Sequence, residues 1–344
     1  MKEHAVIARV LRESGTRASA ALGVTVLGDW GHEGEDIIPG HECVGKITAV
    51  GSAVSKDGLH PGAWVGVGYQ GDSCASCEWC RASKENVCSD MRPLFDTEHK
   101  GAFATALVAK AHFVMPLPEA LTKDKATLQA TAPLLCGGVT TYAPLARALK
   151  HRNGASTKVG VVGIGGLGHM GLQFAKALGK ETIAISRSYD KREAAMQLGA
   201  TSMIASSDED AMKEAQGTLD VILCTVSANY DPSEYLQLLK PLGEFIIVGA
   251  PPVSKSLEFK PFDVIFGEKS IRGSIIGGTE ALAATLEFSA EHDVGAQVEL
   301  LPLDEAQKAM DGLREGKPRF RYVLDVEAFK HERGLDSAYF CWQE

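Results

Sequence analysis

Between Lys158 and Gly179 the period of the apolar positions changes. Val159, Val161 and Val162 make the short apolar run of a buried strand that stops at Gly163. Leu167, Met170, Leu172, Phe174, Ala175 and Leu178 then recur on one face of a helix predicted from about Gly166. A second strand, Glu181 to Ser186, follows. Downstream the alternation repeats, predicting strands at 201–205, 219–224, 243–248 and 270–276, with helical patterns such as KREAAMQLG and DPSEYLQLLK between them. Six strands joined by helices predict an α/β domain built on a doubly wound parallel sheet.

Upstream the pattern is shorter and punctuated by glycine. Pro39 and Gly40 predict a turn, Val44 to Val50 a strand, and AWVGVG after Pro61 and Gly62 another strand. GAFATALV and HFVMPLP also read as strands, and the set predicts a small β-barrel. Leu121 to Ala130 and APLLCGGVTTYAPLARAL read as helices. A helix at Asp304 to Arg314 and a strand at Phe320 to Val326 come after the parallel sheet is complete, so they are expected to return to the barrel domain. Ala5 to Val10 and AALGVTVLGDW carry only weak strand patterns, and the tail HERGLDSAYFCWQE has no periodicity. Phe340 and Trp342 in that tail are candidate interface residues.

A chain of 344 residues with 45% hydrophobic and 23% charged residues is long enough for two cored domains. Its apolar runs are shorter than the roughly 18 residues of a membrane helix, and the first residues lack the apolar centre of a signal peptide. A cytoplasmic protein without a membrane partner is therefore expected. The net charge of −9 is spread without a long block of one sign, which argues against a nucleic-acid surface. Four of the eight cysteines, Cys74, Cys77, Cys80 and Cys88, form C-x2-C-x2-C-x7-C. Thiolates at this spacing can reach one Zn²⁺ at about 2.3 Å each and close a tetrahedron, which predicts a structural rather than a catalytic site.

The glycines at 163, 165, 166 and 168 lie between strand and helix. Without Cβ atoms they let a diphosphate approach the helix amides, the arrangement of a dinucleotide-binding turn. The following strand ends in Ser186, Arg187 and Ser188, with Lys191 just beyond and no carboxylate at the strand end. A free ribose 2′-hydroxyl needs an acceptor there, whereas a 2′-phosphate would take charge-assisted bonds from Arg187 and Lys191 and hydroxyl donors from Ser186 and Ser188. The cofactor predicted is NADP(H). Asp190 reads as a helix-start residue.

Taken in order, PGHECVGKITAVGSAV, GVGYQGDSCASCEWC, APLLCGGVTTYAPL, VGVVGIGGLGHMG, ISRSYDKREAA, LLKPLGEFIIVGAP and RGSIIGG resemble the zinc-containing medium-chain alcohol dehydrogenases, most closely their cinnamyl alcohol dehydrogenase branch. The resemblance covers residues 38–326 almost without a break. It implies a GroES-like β-barrel substrate domain from residues 1–146 and 288–344 and a Rossmann domain at 147–287. It also implies a structural zinc on the four-cysteine loop and a catalytic zinc drawing on His41 and Cys136, with Glu42 as alternate ligand. Thr140, from the family's C-x-x-x-T pattern, would lie near the nicotinamide. Leu167, Thr225, Gly249, Ser274 and Ile276 complete the implied cofactor contacts. The implied partner is a small alcohol or aldehyde, and the implied assembly a homodimer.

The chain departs from the family in one place. A Gly-x-Cys-His-Thr/Ser-Asp segment that supplies the first zinc thiolate and part of a proton relay falls here on Ser19, Ala20, Ala21 and Leu22, and the later relay histidine on Val24. The catalytic zinc is therefore expected to be held by His41, Cys136 and Glu42 alone, and so weakly or not at all. Three readings follow: an NADP(H)-dependent alcohol dehydrogenase or aldehyde reductase; a zinc-independent reductase of a conjugated C=C or iminium bond; and an inactive nucleotide-binding homologue from a truncated or mis-spliced frame.

Overall fold

In a computed structural model of the chain, residues 38–96, 101–152, 156–252, 254 and 256–332 are described, together with short strands at Ala5–Val6 and Gly15–Thr16. The positions aligned with the family's first thiolate, Ser19 to Leu22, lie outside the described residues, as do Val24, Phe340 and Trp342.

Two six-stranded sheets organise the molecule. The first contains β1 (Gly15–Thr16), β2 (Cys43–Lys46), β3 (Trp64–Val67) and β4 (Val114–Pro116), paired antiparallel in that order. The second contains β5 (Lys158–Val162), β6 (Glu181–Ser186), β7 (Ser202–Ala205), β8 (Leu219–Cys224), β9 (Leu239–Ile247) and β10 (Ser270–Gly273). Its order is β7-β6-β5-β8-β9-β10 and every pairing is parallel, so the order reverses beside β5. In such sheets the crevice at the carboxyl ends of the strands flanking that reversal is the place for a ligand. After the second sheet is complete, β11 (Val298–Pro302) and β12 (Arg321–Asp325) return to the first, with β12 paired to β1.

Four helices matter for the site. Helix α1 (Lys125–Thr131) starts where the Asp124 carboxylate accepts from Thr127 N–H at 2.7 Å. Helix α2 (Gly137–Leu149) begins beside Cys136 and packs Leu145 and Val139 into one core with Val159, Val161, Met170 and Phe174, which ties the two sheets together. Helix α3 (Gly168–Ala177) follows the glycine turn and has no side-chain cap of its own. Helix α4 (Thr279–His292), which the apolar pattern did not announce, is likewise uncapped by its own preceding residue, Gly278.

Several predicted elements are shorter or different. The strand expected at 44–50 ends at Lys46, because Ile47 N–H bonds to Ala63 and Ile47 C=O accepts from Gly62, turning the chain into the Pro61-Gly62 corner. The stretch 101–108, expected as a strand, is irregular. Its first amides, Gly101, Ala102 and Phe103, bond to the carbonyls of Ile38, Gly40 and Pro39, and only Ala109–Lys110 pairs as strand. The helix expected from Leu121 begins at Lys125, where Asp124 can cap it. The last strand of the parallel sheet ends at Gly273 rather than 276.

Candidate active site and metal loop

The glycine turn acquires its shape from two residues. Gly163 has φ +86°, a conformation that a side chain would strain. At Gly168 an added Cβ would collide with the Gly163 carbonyl oxygen, so α3 can start only this close to β5 with glycine there. Thr225 secures the same turn from β8, its hydroxyl donating to Val162 O at 2.9 Å and Gly163 O at 2.7 Å.

Beside this turn lies a 660 Å³ cavity. Its lining includes Glu42, Cys136, Thr140, Leu167, Gly249, Ser274, Ile276 and Arg321. Five sequence-stretch expectations for cofactor contact (Thr140, Leu167, Gly249, Ser274, Ile276) therefore meet on one surface with two of the expected metal ligands. Gly163, Gly165, Gly166, Gly168 and Thr225 form the turn at its edge. Thr141, rather than Thr140, turns its hydroxyl back on the helix, donating to Gly137 O at 2.9 Å and Gly138 O at 3.0 Å.

The ligand atoms of His41, Glu42 and Cys136 lie within 4.8 Å of one another, and all three side chains are buried. His41 is held edge-on by Tyr69 at 5.0 Å between ring centroids. Glu42 Oε1 accepts from the Gly137 N–H at 3.0 Å, so the start of α2 stabilises the carboxylate beside the Cys136 sulfur. Burial, reinforced by the nearby Cys136 and Asp96, pushes the Tyr69 hydroxyl up to about 12, which keeps it protonated against the cluster. Three ligand atoms at this separation fit a Zn²⁺ with an open position.

The four cysteines form a second set, again with ligand atoms within 4.8 Å. Thiolates at 2.3 Å from a tetrahedral Zn²⁺ stand about 3.8 Å apart. Here Cys77–Cys80 and Cys74–Cys88 are 3.5 Å apart and Cys74–Cys80 3.9 Å, so the loop fits the metal closely. The backbone shares the charge: Cys77 N–H points at Cys74 Sγ, Cys80 N–H at Cys77 Sγ and Asp90 N–H at Cys88 Sγ, at 3.3–3.4 Å. Amide donors from Ser76 and Cys77 bring the Cys74 thiol down to about 6.

At the end of β6, Lys191 donates to Ile164 O at 2.9 Å, which places its ammonium at the glycine turn. Burial lowers its pKa first, and the neighbouring Arg187 and Arg319 lower it further. Ser188 donates to Asp190 Oδ2 at 2.7 Å. Asp190 sits in the short 3₁₀ turn Tyr189–Lys191 that runs directly into the α-helical residues from Arg192, which places it at the helix start.

Arg321 was not anticipated. It opens β12, is 3% exposed, and its guanidinium packs against the backbone of Gly137 and Gly166, where an added Cβ would meet it. No carboxylate pairs with it among the described residues, its Nε has no hydrogen-bond partner, and burial alone pushes it down to about 9. A buried cation without a counter-ion is costly. Its strand lies more than 150 positions from the glycine turn, so only the fold reveals it.

The alcohol dehydrogenase GroES-like family profile matches residues 15–119, and the zinc-binding dehydrogenase profile matches residues 166–291. Mannitol dehydrogenase of Petroselinum crispum is 42% identical over 308 residues, covering 88% of each chain. This chain belongs to the zinc-type medium-chain alcohol dehydrogenases. Within that family the cinnamyl alcohol dehydrogenase branch is supported by a probable cinnamyl alcohol dehydrogenase of Oryza sativa subsp. japonica, 39% identical over 311 residues that cover 88% of this chain and 68% of that one. Among solved structures, a cinnamyl alcohol dehydrogenase of Sorghum bicolor superposes with a TM-score of 0.83 at 38% identity, covering 93% of this chain and 92% of that one. A Helicobacter pylori cinnamyl alcohol dehydrogenase complexed with NADP(H) gives 0.81 at 29% identity, covering 95% and 98%. The GroES-like and Rossmann-like pair of folds is thus established, and with it an alcohol dehydrogenase-family oxidoreductase. Among the described residues, no helix is long and apolar enough to cross a membrane.

Proposed function

We propose that the chain interconverts small alcohols and aldehydes by hydride transfer with NADP(H). The observation that carries this reading is Arg321, a buried guanidinium with no carboxylate partner, set between the glycine turn and the start of α2. A dinucleotide diphosphate on the α3 amides supplies the anion that such a cation needs. Lys191, with Arg187 and Arg319 beside it, then meets a ribose 2′-phosphate, and Ser186 supplies the strand-end hydroxyl. Thr140, Gly249, Ser274 and Ile276 receive the nicotinamide end next to Glu42 and Cys136.

His41, Cys136 and Glu42 would hold the catalytic Zn²⁺, and a metal so placed supplies Lewis-acid polarisation of a carbonyl or alkoxide oxygen. Glu42 is shared between this set and the Gly137 N–H, and so can exchange one for the other. Tyr69, Val87 and Ile275 give the substrate end an apolar wall. We extend the proposal to the division at about residues 147 and 287, to a homodimer in the cytoplasm, and to one firmly held zinc in the cysteine loop.

A second reading, reduction of a conjugated C=C or iminium bond without zinc, is favoured by one observation: Ser19 to Leu22 carry no thiolate where the family has one. Dissociation constants for NADPH and NADH, measured by fluorescence in the wild type and in Arg187→Ala/Lys191→Ala, test the cofactor. The wild type should prefer NADPH and the variant should lose about 10–100-fold of that preference, given roughly 1.5–3 kcal/mol per charged hydrogen bond. Equal affinities in the wild type would overturn it. NADPH-driven reduction of a conjugated enone that persists after removal of all but the loop zinc, with no alcohol oxidation, would favour the second reading.

A further inference from the structure

The metal loop does more than close on its own ion. Its last residues, with Gln70 from the preceding strand, reach across to the stretch 274–279 that forms one wall of the cavity. Asn86 Nδ2 donates to Ile275 O at 2.9 Å, and Gln70 Nε2 donates to Gly277 O at 2.8 Å. Ile276, between those two carbonyls, has φ +36°. For a β-branched residue this is a strained conformation, one that persists only where the surroundings hold it. Just beyond, the Glu85 carboxylate accepts from the Thr279 N–H and hydroxyl, each at 3.0 Å. It thereby caps α4, whose preceding residue, Gly278, has no side chain to do so.

Glu85 is fully buried and is fixed from the other side by His112 at 2.6 Å. Its carboxyl titrates at about 2, held down by the bonds from His112 and Thr279 despite the opposing effect of burial. The two backbones touch: a Cβ on Gly278 would collide with Ser83 O. A segment of the second fold unit is therefore bolted at three points, Ile275, Gly277 and Thr279, to residues 70–86 of the first.

We propose that Gln70, Glu85 and Asn86 are positioning residues: together they clamp Ile275 to Thr279 and hold the strained Ile276 in the shape that receives the cofactor. This rests on the reading of the cavity as a dinucleotide site. The clamp predicts that cofactor affinity depends on residues that need not touch the cofactor's phosphates, and that damage to the loop is read out at the cavity before the protein unfolds.

Two variants, Asn86→Ala and Glu85→Gln, are compared with the wild type as full-length, zinc-loaded protein. Hydrogen exchange by mass spectrometry should show peptides spanning 274–282 exchanging at least tenfold faster in both, with peptides of β5 and β8 unchanged. NADPH Kd should rise about tenfold, kcat should change less than KM for NADPH, and zinc in the cysteine loop should stay near one per chain. Thr279→Val, which attacks the same contact from the far side, should reproduce the local exchange change. Unchanged exchange over 274–282 in all three variants overturns the clamp, and faster exchange with an unchanged NADPH Kd overturns its positioning role. A wild type that binds neither reduced cofactor breaks the dinucleotide reading instead, and the exchange data still decide the clamp.

Discussion

The cysteine loop and the His41, Glu42, Cys136 cluster each bring their metal-ligating atoms within 4.8 Å of one another, yet they are assembled by opposite means. Cys74, Cys77, Cys80 and Cys88 come from one short loop, Cys74 and Cys77 half-buried and Cys80 and Cys88 buried, and backbone amides a few residues away complete the site. Glu42 and Gly137 are 95 positions apart, and their hydrogen bond closes only when β2 and α2 pack. The first site needs only a local chain reversal, whereas the second needs the whole core. A metal in the loop should therefore act on folding, and a metal in the buried cluster on chemistry.

The strongest test of that contrast is Cys77→Ser. It should empty the loop and lower the melting temperature by more than 10 °C, because structural zinc binding is coupled to folding at roughly 10 kcal/mol or more. Calorimetry with elemental analysis reads both, and an unchanged melting temperature would remove the distinction. Cys136→Ala should leave the fold and the loop zinc in place while alcohol oxidation falls at least 100-fold, since Lewis-acid assistance contributes several kcal/mol at about 1.4 kcal/mol per tenfold in rate. Activity and metal content that both survive the substitution would show that the buried cluster is not the catalytic site.

Dialysis against a chelator sharpens the comparison further. With three protein ligands among the described residues against four in the loop, the buried set should release its metal first, leaving close to one zinc per chain. Two zincs that resist removal equally would mean that the clusters are alike in strength.

The smallest expected effect is a pH dependence of NADPH binding. Burial lowers Arg321 to about 9, and Lys191 lies below its ordinary range for the same reason and because Arg187 and Arg319 repel it. The cationic forms favour the phosphates, so affinity should be flat near neutrality and fall as pH rises through about 9. The apoprotein should respond in the opposite sense. Above that pH the folded state has given up a proton that the unfolded state keeps, so stability rises with pH there. Fluorescence titration between pH 7 and 10, repeated with Arg321→Gln, checks both. The variant should bind NADPH about 10–100-fold more weakly at pH 7 and show a shallower alkaline decline.

What was legible in the chain was whatever depends on neighbours in sequence. The period change at Gly163, the parallel strands, the strand end without a carboxylate and the cysteine spacing each follow from local backbone geometry or ligand reach, and each could be read residue by residue. Other features depend on what the chain meets in space. The strand expected at 101–108 is irregular because its amides find the carbonyls of 38–40. His41 and Cys136 could be joined only through resemblance, since spacing carries no information about contacts between segments 95 positions apart. Arg321, the strained Ile276 and the Glu85 cap on α4 were decided by the tertiary structure alone. An unpaired buried charge, a positive φ at a branched residue and a carboxylate borrowed to cap a distant helix are properties of the packed fold, and single-sequence periodicity has no term for them.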